Sequence, residues 1–157
     1  VGGDPYFGTG IENEMSKEFY ELDETIIKNP EDVDYKRMIE ATKEVIKDIS
    51  DLGKVLVISR GASAILKDKE NVLRVFFSAN EDERVSRAKK MHNLESDAAA
   101  VDLLRHADHA QDEYFMKAFN LDFNDQSMYH LTLNTSNLTP EECSKIILNL
   151  SKNKLTY

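Results

Sequence analysis

Apolar positions along the chain follow two rhythms, and each rhythm predicts a different element. Ile11, Met15, Phe19, Leu22 and Ile26 recur at steps of three and four, so residues 11–28 read as a helix with one apolar face. Asn29-Pro30 ends it, because proline disfavours helical geometry in the residue before it. Residues 35–52 read as a second amphipathic helix, with Met38, Ala41, Val45, Ile49 and Leu52 in a stripe and Ile39 and Ile46 beside it. Gly53 is placed to cap its C-terminus.

The second rhythm is the short, unbroken apolar run. Residues 54–59 are β-branched and almost wholly apolar, which predicts a strand buried on both faces. Residues 73–78 predict another. Residues 128–134 alternate more, which suits a strand nearer a sheet edge. Helical segments separate these runs. Residues 63–67 give a short one. Residues 80–91 open with Asn80 and Glu83 in capping-box spacing, and residues 96–119 form a long helix with a break expected near Ala107. Thr139, Pro140 and Glu142 start a last helix that should bury Cys143, Ile146, Ile147 and Leu150. Strands alternating with helices predict an α/β fold, a parallel sheet with helices on both faces. The glycine-rich residues 2–10 read as loop, with a short strand at residues 5–7. Repeats, low-complexity tracts and linkers are absent.

Composition narrows the class. The 157 residues are 41% hydrophobic and 31% charged, which suits a single domain with its own core. No apolar run reaches membrane-spanning length. The lone Cys143 has no internal disulfide partner, and a reducing, cytoplasmic setting is expected. Net charge is -9, concentrated in Glu12, Glu14, Glu18, Glu21, Asp23, Glu24, Glu31, Asp32 and Asp34. This argues against a nucleic-acid partner, whose phosphates need a basic face, and reads as a solvated helix surface.

Three segments, taken in order, resemble the cytidylate-kinase-like branch of the nucleoside monophosphate kinases. Val55-Leu56-Val57-Ile58-Ser59-Arg60-Gly61-Ala62 is similar to that family's strand ending in Gly-Arg-Gly-Ala, with Ser59 at the first glycine. The strand at residues 72–79, running into Arg84 and Arg87, resembles the strand and Arg-x-x-Arg helix that lead into the family's lid. Asp122, Phe123, Asp125, Tyr129, Asn134 and Thr135 match an Asp-Trp-x-Asp…Tyr…Asn-Thr pattern, with Phe123 for tryptophan.

The resemblance implies one domain over residues 1–157: a remnant of the monophosphate-binding region (1–52), core strands (53–83), lid helices (84–120) and a C-terminal strand and helix (121–157). It implies phosphoryl transfer from ATP, with Mg²⁺, to a pyrimidine nucleoside monophosphate or similar small acceptor. Such chemistry rests on positioning and charge neutralisation rather than covalent work by the protein. Arg60 would contact the acceptor phosphate, with Gly61 permitting close backbone approach. Arg84, Arg87, Arg105 and Asp108 would serve the ATP side. Nucleotides are the implied partners, and a homodimer is left open.

The sequence departs from the pattern in the lid. Gln111 stands where the family has a clamping arginine and Glu113 where a second is common, and residues 84–119 carry no net charge. Arg105, about one and a half turns before Gln111, is a spatial substitute. A phosphate-binding loop of the Gly-x-x-x-x-Gly-Lys-Ser/Thr type does not occur. By resemblance the strand before that loop is central, between the runs at 55–59 and 72–78. Its loss would orphan backbone groups at about 1–3 kcal/mol each, against total stability of about 5–15 kcal/mol. Residues preceding Val1, a strand from another chain or a rearranged sheet would have to fill the gap. The first is preferred, and the chain as given would be inactive. The alternative is a degenerate pseudokinase of the same fold, acting as a binding or regulatory module.

A metal site is a third class. Asp102, His106, His109 and Glu113 lie at i, i+4, i+7 and i+11 on one helical face, a spacing able to ligate zinc. One helix seldom closes a coordination shell, so solvated polar residues are the preferred reading and no metal is assigned. Phe76, Phe77, Phe115, Phe119 and Phe123 read as core or lid packing.

Overall fold

A computed structural model describes residues 33–154. The loop, short strand and helix expected within residues 2–28 lie outside the described residues. The order is α1 (Val33–Asp51), α2 (Ala62–Ile65), β1 (Val75–Ser78), α3 (Glu81–Met91), α4 (Asp97–Phe119), a 3-10 turn (Gln126–Met128), β2 (Leu131–Asn134) and α5 (Pro140–Lys154). β1 and β2 pair in parallel, Val75 opposite Leu131 and Ser78 opposite Asn134. The helical hairpin α3–α4 makes the crossover that a parallel pair requires. Among the described residues the molecule is therefore a mixed α/β fold, rich in helix, with a small parallel sheet.

The main core gathers Tyr35 and Ile39 of α1, Ala64 of α2, Tyr114 and Phe115 of α4, and Met128. Phe76, Phe115, Phe123 and Tyr129 join it to the sheet through ring contacts of 4.8–5.3 Å. Tilted and edge-on rings suit the aromatic quadrupole and add to the area they bury. Burial pushes the Tyr129 hydroxyl up to about 12, while it donates to the carbonyl of Phe123 at 2.8 Å. A second core, Ala88 with Ala100 and Leu104, lets α3 lie close along α4.

Several expectations need correction. Residues 54–59 are not a buried strand: residues 55–58 carry no strand assignment, and Leu56 and Ile58 are 85% and 72% exposed. A strand needs a ladder partner, and the one sheet among the described residues has only β1 and β2. On α1 the buried face is Tyr35, Ile39 and Ile46, with Met38 packed beside it; Val45 and Ile49 of the expected stripe, and Leu52 just past the helix, are exposed. The two faces lie one residue, about 100°, apart, and packing on Ala64 and Tyr114 selects between them.

Asn80 is the N-cap of α3 by position but makes no side-chain cap bond. Instead its amide donates to Ser136 Oγ at 2.8 Å and its side chain accepts from Asn134. Helix α4 runs unbroken through Ala107, which packs inward, and Ser96 caps it by accepting from the Ala99 amide. On α5 Cys143 is buried, whereas Ile146 is exposed. Its start forms the expected capping box: Thr139 Oγ1 accepts from the Glu142 amide and Glu142 accepts from the Thr139 amide. Those bonds hold the Glu142 carboxyl below its usual range. None of the described helices is long and apolar enough to cross a membrane.

Candidate functional site

The run at 55–58 ends in a turn of unusual backbone. Ser59, Arg60 and Gly61 all have positive φ, of 66°, 55° and 71°. Glycine adopts this region freely, whereas side-chain-bearing residues are disfavoured there by about 1–2 kcal/mol each. The turn closes on itself, with the Ala62 amide donating to Ser59 and the Ile65 amide to Gly61. Arg60 is exposed and Gly61 is buried. A Cβ at Gly61 would overlap the Phe119 ring, so α4 lies directly against this backbone. Gly61 thus permits a close approach of the protein's own helix.

Arg84 and Arg87 lie in the first two turns of α3, the helix that follows β1. Arg84 is 5% exposed and forks onto both carboxylate oxygens of Asp108, one contact at 2.9 Å. A guanidinium so far from water requires such a partner, and the planar fork matches a carboxylate. Arg87 reaches Thr135, Nη1 donating to Oγ1 and Nη2 to the carbonyl, both at 2.8 Å, with Glu83 at 3.4 Å. Arg105 stands apart from both: it is solvent-exposed and pairs loosely with Asp102 at 3.5 Å. The structure therefore joins Arg84 to Asp108, sends Arg87 to the end of β2 and leaves Arg105 on the surface of α4. Arg84 and Arg87 are thus each engaged by distant parts of the fold.

Two residues that carry the arrangement were not assigned roles from sequence. Thr135 is 1% exposed, donates its hydroxyl to the Ser78 carbonyl at 3.0 Å and receives Arg87. It welds the strand ends to α3. The Asn-Thr pair closing the β2 run was the available signal. Arg74 donates to the carbonyls of Met128 and Lys67, both at 2.6 Å, tying the end of the α2 turn to the approach of β2. A lone arginine before a strand offers no such signal.

Around Asp108 the field is acidic. Burial, with the charges of Asp108 and Asp122, pushes the Asp112 carboxyl up, although Asn124 donates to it at 3.0 Å. His109 approaches Glu113 at 3.9 Å and Asp102 faces Arg105. No group of three or more metal-ligating side chains converges among the described residues.

Comparison with known proteins bears on the family and the fold. Residues 7–137 match the cytidylate kinase-like family. Over 105 residues the chain is 27% identical to a cytidylate kinase of Sulfurisphaera tokodaii, an alignment covering 67% of this chain and 57% of that relative. The crystal structure of an uncharacterized protein from Eubacterium ventriosum superposes with a TM-score of 0.65, covering 85% of this chain and 81% of that one. At 15% identity this likeness concerns the fold alone.

Proposed function

The chain belongs to the cytidylate kinase-like family, and from that premise we propose that it transfers a phosphoryl group from ATP to a pyrimidine nucleoside monophosphate or a similar small acceptor. The observation that carries the reading is the exposed Arg60 on a left-handed turn anchored by Gly61. That turn presents a cation with a backbone set before any ligand arrives, and a pre-set geometry lowers the cost of holding an anionic phosphate. Arg60 and Gly61 form the acceptor side in this proposal. Residues 84–120 form the lid, with Arg84, Arg87 and Arg105 on the ATP side and Asp108 aiming Arg84.

Among the described residues no group of three or more metal-ligating side chains converges. Mg²⁺ would arrive with ATP, held largely by substrate phosphates and water, an arrangement that requires no protein cage.

A second reading is favoured by a separate observation. Arg84 and Arg87 are already engaged by Asp108 and by Thr135, and Gln111 and Glu113 add no positive charge to α4. On that reading the fold is kept as a binding or regulatory module. ADP release by the full-length protein, with Mg·ATP and with CMP, dCMP or UMP as acceptor, decides between them. Release that depends on the acceptor is expected. None above background with any acceptor would favour the module.

A further inference from the structure

We propose that Tyr114 and Phe119 of α4 are positioning residues for Arg60; the role of Arg60 at the acceptor rests on the kinase reading above. Three consecutive left-handed residues, two of them bearing side chains, persist only where surrounding structure over-determines them. The hydrogen bonds within the turn close it but do not fix it to the rest of the fold. Helix α4 does so. Tyr114 Oη donates to the Arg60 carbonyl at 3.4 Å. The Phe119 ring fills the space a side chain on residue 61 would need.

The two rings brace each other edge-on, with centroids 5.6 Å apart and planes at 89°. Lys43 of α1 lies 6.0 Å from the Phe119 centroid on the cation–π scale, which ties the brace to a second helix. The same helix holds Arg84 through Asp108, six residues before Tyr114. At 1.5 Å per residue that is about 9 Å of unbroken helix. Helix α4 thus contacts both the Arg60 turn and, through Asp108, Arg84. Packing alone would explain a loss of stability on mutation, but not an effect confined to one substrate.

The mild probe is Tyr114→Phe, which deletes one hydroxyl and keeps the ring. Trypsin needs an extended backbone, so the braced turn should resist cleavage after Arg60. Tyr114→Phe and Phe119→Ala are expected to speed that cleavage at least about fivefold relative to cleavage after Lys54, while Phe119→Tyr stays near wild type. In turnover, Tyr114→Phe should raise KM for the acceptor about three- to tenfold, with kcat and KM for ATP within about twofold, since small misplacements of a positioning group are costly. Unchanged cleavage at Arg60 in Tyr114→Phe would overturn the proposal, as would equal changes in both KM values. Faster cleavage at Arg60 in a protein without kinase turnover would support the brace and count against the kinase reading instead.

Discussion

Two short, mostly apolar runs meet different fates in this protein. Val75–Ser78 pairs with Leu131–Asn134, and Phe76 and Leu133 are buried between layers. Residues 55–58, Val-Leu-Val-Ile, hold no strand assignment and expose Leu56 and Ile58. The contrast teaches that a strand belongs to a pair of segments. β-branched apolar composition makes a segment competent for a sheet, but the ladder and the covering layer decide whether it enters one. The exposed run is also held unevenly. Gly53, before it, has open space around it, and Gly61, after it, is clamped against Phe119.

The largest test of this contrast is a matched pair of truncations. Leu133→Ala should cost about 2–5 kcal/mol, the range for emptying a packed core position. Leu56→Ala should fall within about 0.5 kcal/mol, as for an exposed site. Urea denaturation of both variants checks this, and equal losses would break the comparison.

The two glycines sharpen it next. Both have positive φ, so alanine at either carries a left-handed penalty of about 1–2 kcal/mol. Gly61→Ala must also displace the Phe119 ring, adding overpacking of about 1–3 kcal/mol. It should therefore lower Tm clearly more than Gly53→Ala.

On the paired side, Asp108→Asn removes a charge partner of buried Arg84. Because Asp108 itself is 41% exposed, the loss should lie near about 2 kcal/mol, below the range for fully buried pairs. A double variant with Arg84→Met should recover part of it, which a thermodynamic cycle measures.

The smallest effect is a pH slope. The folded carboxyl of Asp112 sits above its usual range, so the folded state binds protons more readily than the unfolded chain. Stability from this group is gained as pH falls through the raised folded value toward the ordinary 3.8, and is missing at neutral pH. Asp112→Asn should thus be stabilising at pH 7 by only about 0.3 kcal/mol, the scale of screened surface charges. The advantage should vanish below pH 3.8 in denaturation series. A constant advantage at all pH would assign it to packing instead.

Much of the described fold was legible because it is set locally. The capping box at Thr139 and Glu142, the C-cap at Gly53 and the long helix through Phe119 follow from residues within a turn or two. What escaped was set by distant partners. Two helical faces of α1 were comparably apolar, and only packing on Ala64 and Tyr114 chose Tyr35 and Ile39 over Val45 and Ile49. Asn80 has the composition of a cap, yet the neighbouring Asn134 and Ser136 take its bonds. In the candidate site, the arginines were legible as a pair on one helix. Their partners were not, because Asp108 lies 24 residues from Arg84 and Thr135 lies 48 from Arg87. The left-handed turn at Ser59 and Arg60 has no composition signal beyond the adjacent glycine.

The role of Arg60 is decided by the thermal shift that CMP produces in wild type and in Arg60→Met. A ligand at about 100 times its Kd stabilises by about 2.7 kcal/mol, so CMP should raise the wild-type Tm by several degrees and leave Arg60→Met nearly unmoved. An equal rise in both proteins would contradict the assignment of the acceptor phosphate to Arg60.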